Sequence, residues 1–193
     1  MGFIDPSPAN ISLRPYHLHP SLHKYPSQST STPEINMIIY RVTDEFSNTH
    51  FDEEGIFAGN PDIDVSLFPK GDRQRKRTVY WIKKHLDWYS RVATPFISAY
   101  TDYDVAWKEA ERRVYAGHGD VVIWTIKMIH EYGIECRDMD RLKNVLGFWI
   151  PDKAFHNARS EYLVLHHIPS EAILFGTSLS KRNGSMKERI IEY

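Results

Sequence analysis

Short runs of β-branched and aromatic residues, spread unevenly along the chain, are the feature that most restricts its fold. Six segments have the composition of short strands: residues 37–42, 95–100, 121–126, 146–150, 161–166 and 172–177. Helical patterns occur between some of these segments and are absent between others. This irregular order favours an α+β sandwich over a repeating βαβ fold.

The apolar spacing predicts two amphipathic helices. In residues 79–89 and 104–115, apolar side chains recur every three or four positions, which is typical of a helix that packs by one face. Thr101 or Asp102 is expected to cap the second helix, while Gly117 and Gly119 are expected to end it. A third, shorter helix is predicted over residues 128–132.

A change in composition near residue 35 predicts where the folded domain begins. Residues 1–34 are rich in proline, serine, threonine and histidine and show no helical or strand period, so we interpret them as an arm. Residues 35–193 are predicted to form a single domain. A chain of 193 residues with 41% apolar side chains can bury a core without disulfides or a structural metal.

Charge and cysteine content restrict the partners and the compartment. Lys and Arg (24) nearly balance Asp and Glu (25), so no global field attracts the protein to nucleic acid or to an anionic membrane. Cys136 is the only cysteine, which favours a reducing, cytoplasmic compartment; a secreted effector that acts inside a host cell remains an alternative. Because no apolar run approaches the roughly 18 residues that span a bilayer, we expect no membrane partner.

The segment before the first helix is predicted to be a long, mostly irregular crossing over residues 43–77. Its end, residues 73–77, is strongly basic (Arg-Gln-Arg-Lys-Arg) and could bind a phosphate-rich partner such as nucleic acid. A short basic run is more typical of a solvated loop, which is the interpretation we favour.

Histidine and tryptophan positions are interpreted as structural. The spacing of three histidines in the arm could suit a metal, but a solvated arm is favoured and no metal is predicted. The three histidines in the arm are His17, His19 and His23. In the domain, we interpret His130, His166 and His167 as structural. The core is expected to contain Trp107, Trp124 and Trp149.

Three motifs follow one another in the chain. They are Tyr40-Arg41, the strand segment 95–100 (Pro-Phe-Ile-Ser-Ala-Tyr), and residues 145–173, which run from Val145-Leu146-Gly147 to the strand that begins at Glu161 and on through an Ile-Pro turn. Together they resemble the signature regions of the cholera-toxin-like, arginine-serine-glutamate class of mono-ADP-ribosyltransferases. The resemblance covers most of residues 37–177 and implies an ADP-ribosyltransferase-like split β-sandwich with flanking helices.

The resemblance implies that NAD is the substrate and that its nicotinamide N-glycosidic bond is cleaved. Glu161 would stabilise the oxocarbenium-like sugar, Ser98 would brace Glu161 or the ribose, and Arg41 would hold the pyrophosphate. Tyr100 and Phe96 would pack against nicotinamide. Phe57 and Trp81 are weaker candidates for the lining of the cleft.

Two departures from the family pattern leave the outcome of the reaction open. Tyr100 stands where the family usually has a second serine, and Arg159 stands where it often has Glu or Gln. Because arginine cannot accept a hydrogen bond, the chain could transfer ADP-ribose, hydrolyse NAD, or be an inactive interaction domain that keeps the fold. If there is an acceptor, a protein is expected before nucleic acid. The sequence does not indicate an oligomeric state.

Overall fold

The computed structural model describes residues 37–87, 90, 92–182 and 185–192, so the predicted arm and its three histidines lie outside the described residues. The strands are β1 (Met37–Thr43), β2 (His50–Asp52), β3 (Gly55–Phe57), β4 (Phe96–Tyr100), β5 (Val121–Met128), β6 (Cys136–Asp138), β7 (Glu161–Leu165), β8 (His167–Pro169), β9 (Ile173–Arg182) and β10 (Ser185–Glu192). The helices are α1 (Asp72–Leu86), α2 (Tyr103–Tyr115), α3 (Met139–Leu146) and α4 (Asp152–Ala158).

The strands form two antiparallel sheets. The larger has the order β10-β9-β5-β1-β4-β7-β6, and the smaller has the order β2-β3-β8. In the larger sheet, β1 lies between β5 and β4, and β4 pairs with β7 along its whole length. Segments that are far apart in sequence, β1, β4 and β7, are therefore direct neighbours.

The smaller sheet packs against one part of the larger sheet. Ile56 and Ile168 from the smaller sheet share a buried cluster with Ile39, Ile97 and Val164 from the larger. Strands in both sheets also alternate irregularly with helices along the chain. The predicted α+β class is confirmed.

The two predicted amphipathic helices are present and pack by the expected faces. Asp102 caps α2 by accepting a hydrogen bond from the Asp104 N–H, 2.9 Å between Oδ1 and N. The small-residue face of α2, with Ala106 and Ala110 at 0% exposure, packs against β1 and β5. In α1, Ile82 and Leu86 are buried, as the periodicity predicts.

The prediction that residues 43–77 are mostly irregular is confirmed, although the segment is not irregular throughout. Two short strands, β2 and β3, interrupt the segment, and α1 begins at Asp72. The basic run at 73–77 is therefore helical. Arg, Lys and Gln are good helix formers, but the first turns of α1 are exposed on every side and so lack the apolar period by which helices are recognised.

The predicted strand at 146–150 is also wrong. Leu146 ends α3, Gly147 takes the left-handed conformation with φ 68°, and the residues that follow are irregular. Leu146, Phe148 and Ile150 are buried alternately, which produces the period-two pattern of a strand without its pairing. Because of that alternation, Trp149 is 66% exposed, so its expected place in the core is wrong as well.

Other boundaries differ from the predictions by less. Met128 ends β5 instead of beginning a helix, and only His130–Tyr132 form a 3₁₀ turn. The last predicted strand extends to Arg182 as β9. Within the described residues, no helix combines the length and apolar character that crossing a membrane would require.

Candidate functional site

The sheet brings the three motif residues to one place. Tyr40 faces Tyr100 across the β1 and β4 pair, and Tyr100 faces Glu161 across the β4 and β7 pair. Arg41 follows Tyr40, and Ser98 lies two residues before Tyr100. Adjacent strands therefore place an arginine, a serine and a carboxylate together, although 63 residues separate Ser98 from Glu161.

Ser98 makes a direct hydrogen bond with Glu161. Its hydroxyl donates to Glu161 Oε1 over 2.5 Å, a distance typical of a bond to an ionised acceptor. Glu161 is 7% exposed, and this burial raises the pKa of its carboxyl group, while the Ser98 bond and the nearby Arg41 charge oppose the rise. Burial of the charged Glu161 carboxylate thus costs free energy, and the Ser98 hydrogen bond and the Arg41 charge offset part of that cost.

His85 extends this contact into a chain of hydrogen bonds that the sequence analysis did not identify. Its Nε2 lies 2.7 Å from Ser98 Oγ, and its Nδ1 lies 2.7 Å from Thr94 Oγ1. Because Ser98 gives its proton to Glu161, Nε2–H must donate to Ser98, and Nδ1 must accept from Thr94. Burial, with the Arg41 charge, lowers the His85 pKa to about 3, so the imidazole is neutral.

Arg41 fixes the backbone beside this chain. Its Nη1 donates to the Ser98 carbonyl over 2.8 Å, and its Nη2 donates to Thr49 Oγ1 over 3.3 Å. The Nε–H is buried and has no hydrogen-bond partner within the described part of the chain. Burial, followed by repulsion from Arg113, lowers the Arg41 pKa to about 10, which leaves the guanidinium charged at neutral pH.

A second charged cluster, also unpredicted, lies beside the first. Glu109 on α2 accepts three hydrogen bonds of 2.8 Å from the guanidinium groups of Arg112 and Arg113. Arg113 also donates to Asp44 over 3.2 Å. The same carboxylate oxygen of Asp44 accepts a hydrogen bond of 2.7 Å from His118 Nδ1. Burial raises the pKa of Glu109 and of Asp44, but their cationic partners outweigh it and hold both below the usual range.

These groups surround one cleft. A cavity of about 360 Å³ is lined by Arg41, Ser98, Glu161 and His85 together with the arginines of α2. An adjoining cavity of about 280 Å³ shares Arg41, His85 and the α2 arginines with it. Together they have the size of a small-molecule site, and their lining combines the guanidinium groups of Arg41 and the α2 arginines with three buried carboxylates, those of Glu161, Glu109 and Asp44.

The remaining predicted site residues lie at different distances from the cleft. Tyr100 lines the first cavity and Phe96 lines the second. Phe57 instead stacks between His50 and His167 on the smaller sheet, at centroid distances of 4.9 and 4.1 Å. The suggestion that Phe57 lines the cleft is wrong.

Two further side chains also lie away from the described lining of both cavities. Trp81 packs against the cluster formed by α1, α3 and α4, so its suggested place in the cleft is wrong. Arg159 is exposed on the turn before β7. Of the two departures from the family pattern, only Tyr100 is therefore part of the cleft.

The sequence does contain weak signals for the groups that were missed. His85 sits among the apolar positions of α1, and Glu109 sits three residues after the buried Ala106 on the packed face of α2. A polar residue on an otherwise buried helix face indicates either a satisfied structural group or a site. Only the three-dimensional contacts show which cluster each residue joins.

Comparison with known proteins identifies the family. A family model with the description "Domain of unknown function (DUF7587)" matches residues 34–182. The chain belongs to this family. A search of curated proteins finds no significant relative of the DUF7587 chain. Among solved structures, EcPltA is similar, with a TM-score of 0.48 and 15% sequence identity over 81% of this chain and 85% of EcPltA.

His85→Gln is expected to reduce the sensitivity of this DUF7587 domain to acid. An unfolded histidine takes up a proton below about pH 6.5, whereas folded His85 stays neutral down to about pH 3. Protonation therefore favours the unfolded chain as the pH falls through this window. Between pH 7 and 5.5, the free energy of unfolding should fall about 1 kcal/mol more for the wild type than for the variant.

Denaturant unfolding at the two pH values measures this difference. The matched control is His50→Gln on the exposed strand β2, which should follow the wild type. Equal pH dependence in the wild type and in His85→Gln would mean that folded His85 takes up a proton as readily as an unfolded one.

Proposed function

We propose that this chain binds NAD and cleaves the N-glycosidic bond between nicotinamide and ribose, passing ADP-ribose to an acceptor or to water. The observation that carries the proposal is the hydrogen bond from Ser98 to Glu161 beside Arg41 in the cleft. These are the three residues that carry the resemblance to arginine-serine-glutamate ADP-ribosyltransferases. A buried carboxylate with a dedicated donor is also what the chemistry requires.

Glu161 would act on the charge that develops in the reaction. When nicotinamide leaves, the sugar carbon becomes oxocarbenium-like, and a fixed carboxylate stabilises that positive charge. The Ser98 bond, supported by neutral His85, holds Glu161 in one position, so little reorganisation is needed as the charge forms. We assign Glu161 the electrostatic role and Ser98 and His85 the role of positioning it.

The guanidinium groups of the cleft would hold the pyrophosphate. Arg41 uses one N–H of each terminal nitrogen for Ser98 and Thr49, which leaves the second N–H of each for a ligand. Arg112 and Arg113 line both cavities, so they could extend the anionic subsite away from Glu161. Tyr100 in the first cavity is the better placed aromatic for nicotinamide, with Phe96 in the second.

A second candidate is an interaction domain that keeps the cleft but has lost transfer. Tyr100 favours this alternative, because a large phenol stands in the cleft where the resembling family has a small hydroxyl. Burial, with the nearby Glu161 charge, raises the Tyr100 pKa, so its hydroxyl stays protonated at neutral pH and is no base. NAD binding alone would not separate the two candidates.

Nicotinamide release from NAD tests the proposal. We expect the purified chain, shown to be folded by circular dichroism, to release nicotinamide in a reaction that requires Glu161. Faster release when lysate is added would indicate transfer to an acceptor. An equal rate of release with and without lysate would indicate hydrolysis of NAD. A folded protein that releases nothing under either condition would support the interaction domain instead.

A further inference from the structure

The basic run that the sequence analysis assigned to a loop belongs to one exposed face of α1. At about 100° per residue, the residues within about 60° of Tyr80 around the helix carry five positive charges. They are Arg73, Lys76, Arg77, Lys83 and Lys84, and we call these with Tyr80 the basic face of α1. The face is about 16 Å long at 1.5 Å per residue.

The side chains of this face remain open to solvent. Arg73, Lys76, Arg77 and Lys83 are exposed, and Lys84 is half-buried. Among the residues that the structure describes, the one ion pair of the face joins Arg77 to Asp64 over 3.5 Å, and the Asp64 side chain is 94% exposed. Such an exposed pair is weak, so the positive charge of the face is largely uncompensated, although the whole chain carries a formal net charge of −1.

An exposed aromatic ring lies in the middle of this charge. Tyr80 is 54% exposed, with basic residues one turn before and one turn after it. The Lys84 ammonium lies 6.0 Å from the centre of the Tyr80 ring, and the Tyr80 and Trp81 rings meet edge to face with 5.2 Å between their centroids. The exposed part of the Tyr80 ring is left for another flat group.

We propose that the basic face of α1 binds single-stranded nucleic acid. A row of five cations matches the charge of a phosphate backbone, and an exposed ring within that row provides a stacking surface for a base. An acidic protein would use the charges but has no particular need for the ring. An anionic membrane would require an apolar stripe, whereas this face offers one aromatic side chain.

This surface is distinct from the chemistry proposed for the cleft. It is formed by the exposed side of α1, and of its residues Lys84 also lines the second cavity, whereas His85 and Leu86 at the end of the same helix line the first. Binding to the face requires no NAD and no Glu161. The proposal can therefore fail while the NAD reaction stands, and the reverse also holds.

Fluorescence anisotropy with a labelled oligo-dT strand tests the proposal on the whole chain. Five phosphate contacts predict a slope of log affinity against log salt of up to about −3.5, from about −0.7 for each contact on a single strand. The triple variant Arg73→Gln, Lys76→Gln, Lys83→Gln should lose about two units of that slope. The control Lys108→Gln, Lys187→Gln, Arg189→Gln removes the same charge from exposed positions elsewhere and should bind like the wild type.

Tyr80 variants separate stacking from charge alone. Tyr80→Ala should weaken oligo-dT binding about 5- to 100-fold, and Tyr80→Phe should retain the affinity because it keeps the ring. Equal loss in both triple variants would overturn the assignment to this face. Undiminished binding by Tyr80→Ala, or stronger binding to polyglutamate or to anionic vesicles than to oligo-dT, would overturn the assignment to a nucleic-acid strand.

Discussion

Glu161→Gln is expected to lower the turnover of NAD about 100- to 1000-fold, the usual cost of losing one preorganised electrostatic group in a transition state. Glutamine keeps the size of the side chain and can still accept the Ser98 hydrogen bond through its amide oxygen. It loses only the negative charge that would face the oxocarbenium-like sugar. The effect should therefore fall on kcat for nicotinamide release much more than on KM.

The pH dependence of the wild type follows from the same group. Burial raises the Glu161 pKa above its ordinary value, and the carboxylate must be ionised to act. Activity should thus be lost as the pH falls through this raised pKa and restored as the pH rises. The pH profile of kcat measures the effect, and the Gln variant should lack this limb.

Folding and catalysis can be separated in this variant. Because the pKa of Glu161 is raised in the folded state, its ionised form costs stability above that pKa, and a neutral amide removes the cost. Glu161→Gln should therefore be at least as stable as the wild type at pH 7. The matched control is Glu53→Gln on the exposed turn between β2 and β3. A Gln variant that keeps full turnover would place the chemistry on another residue.

The resemblance to arginine-serine-glutamate ADP-ribosyltransferases predicted which residues of the site would meet, and strand content, which is a local property, predicted the strands that carry them. β1, β4 and β7 each carry the β-branched and aromatic residues of buried strands, and Arg41, Ser98 and Glu161 lie on them. Whether these three residues act as proposed is a matter for the assays. Their proximity follows from the pairing of the strands.

His85 and the α2 charges could not be predicted in the same way. His85 reaches Ser98 because α1 packs beside β4, and that packing depends on apolar contacts from several distant segments. Arg113, which Glu109 already binds within α2, likewise reaches Asp44 only once α2 lies against β1. Single residues of this kind belong to no sequence motif, so their hydrogen-bond partners can be identified only in the folded structure.

Exposed elements were missed for the opposite reason. The first turns of α1 and most of β10 face solvent and therefore lack the apolar period that marks a buried face. β10 is held by its full-length pairing with β9, from Ser185↔Arg182 to Glu192↔Phe175, which is a backbone property. Residues 146–150 show the opposite error, because buried and exposed side chains alternate there although the residues form no strand.

Gly55→Ala is expected to destabilise the fold by about 3 kcal/mol or more. Gly55 has φ 131°, which side chains rarely adopt, and a Cβ there would lie 2.1 Å from the Ile168 carbonyl oxygen and 2.8 Å from Ser170 N. Both are backbone atoms, so a side-chain rotation cannot relieve either contact. The clash would separate β3 from β8, whose register pairs Gly55 with Pro169, and would remove the smaller sheet from the core.

Thermal or denaturant unfolding of this variant measures the loss, which for a chain of this size corresponds to a fall in Tm of roughly 6–12 °C. The control is Gly119→Ala, since the nearest atom to a Cβ there is Glu45 Oε1 at 3.7 Å. That substitution also keeps the backbone N–H that donates to Glu45, so its stability should stay within about 0.5 kcal/mol of the wild type. If Gly55→Ala were as mild as this control, the close approach of β3 to β8 would be wrong, and with it the packing of the smaller sheet against the strands that carry the site.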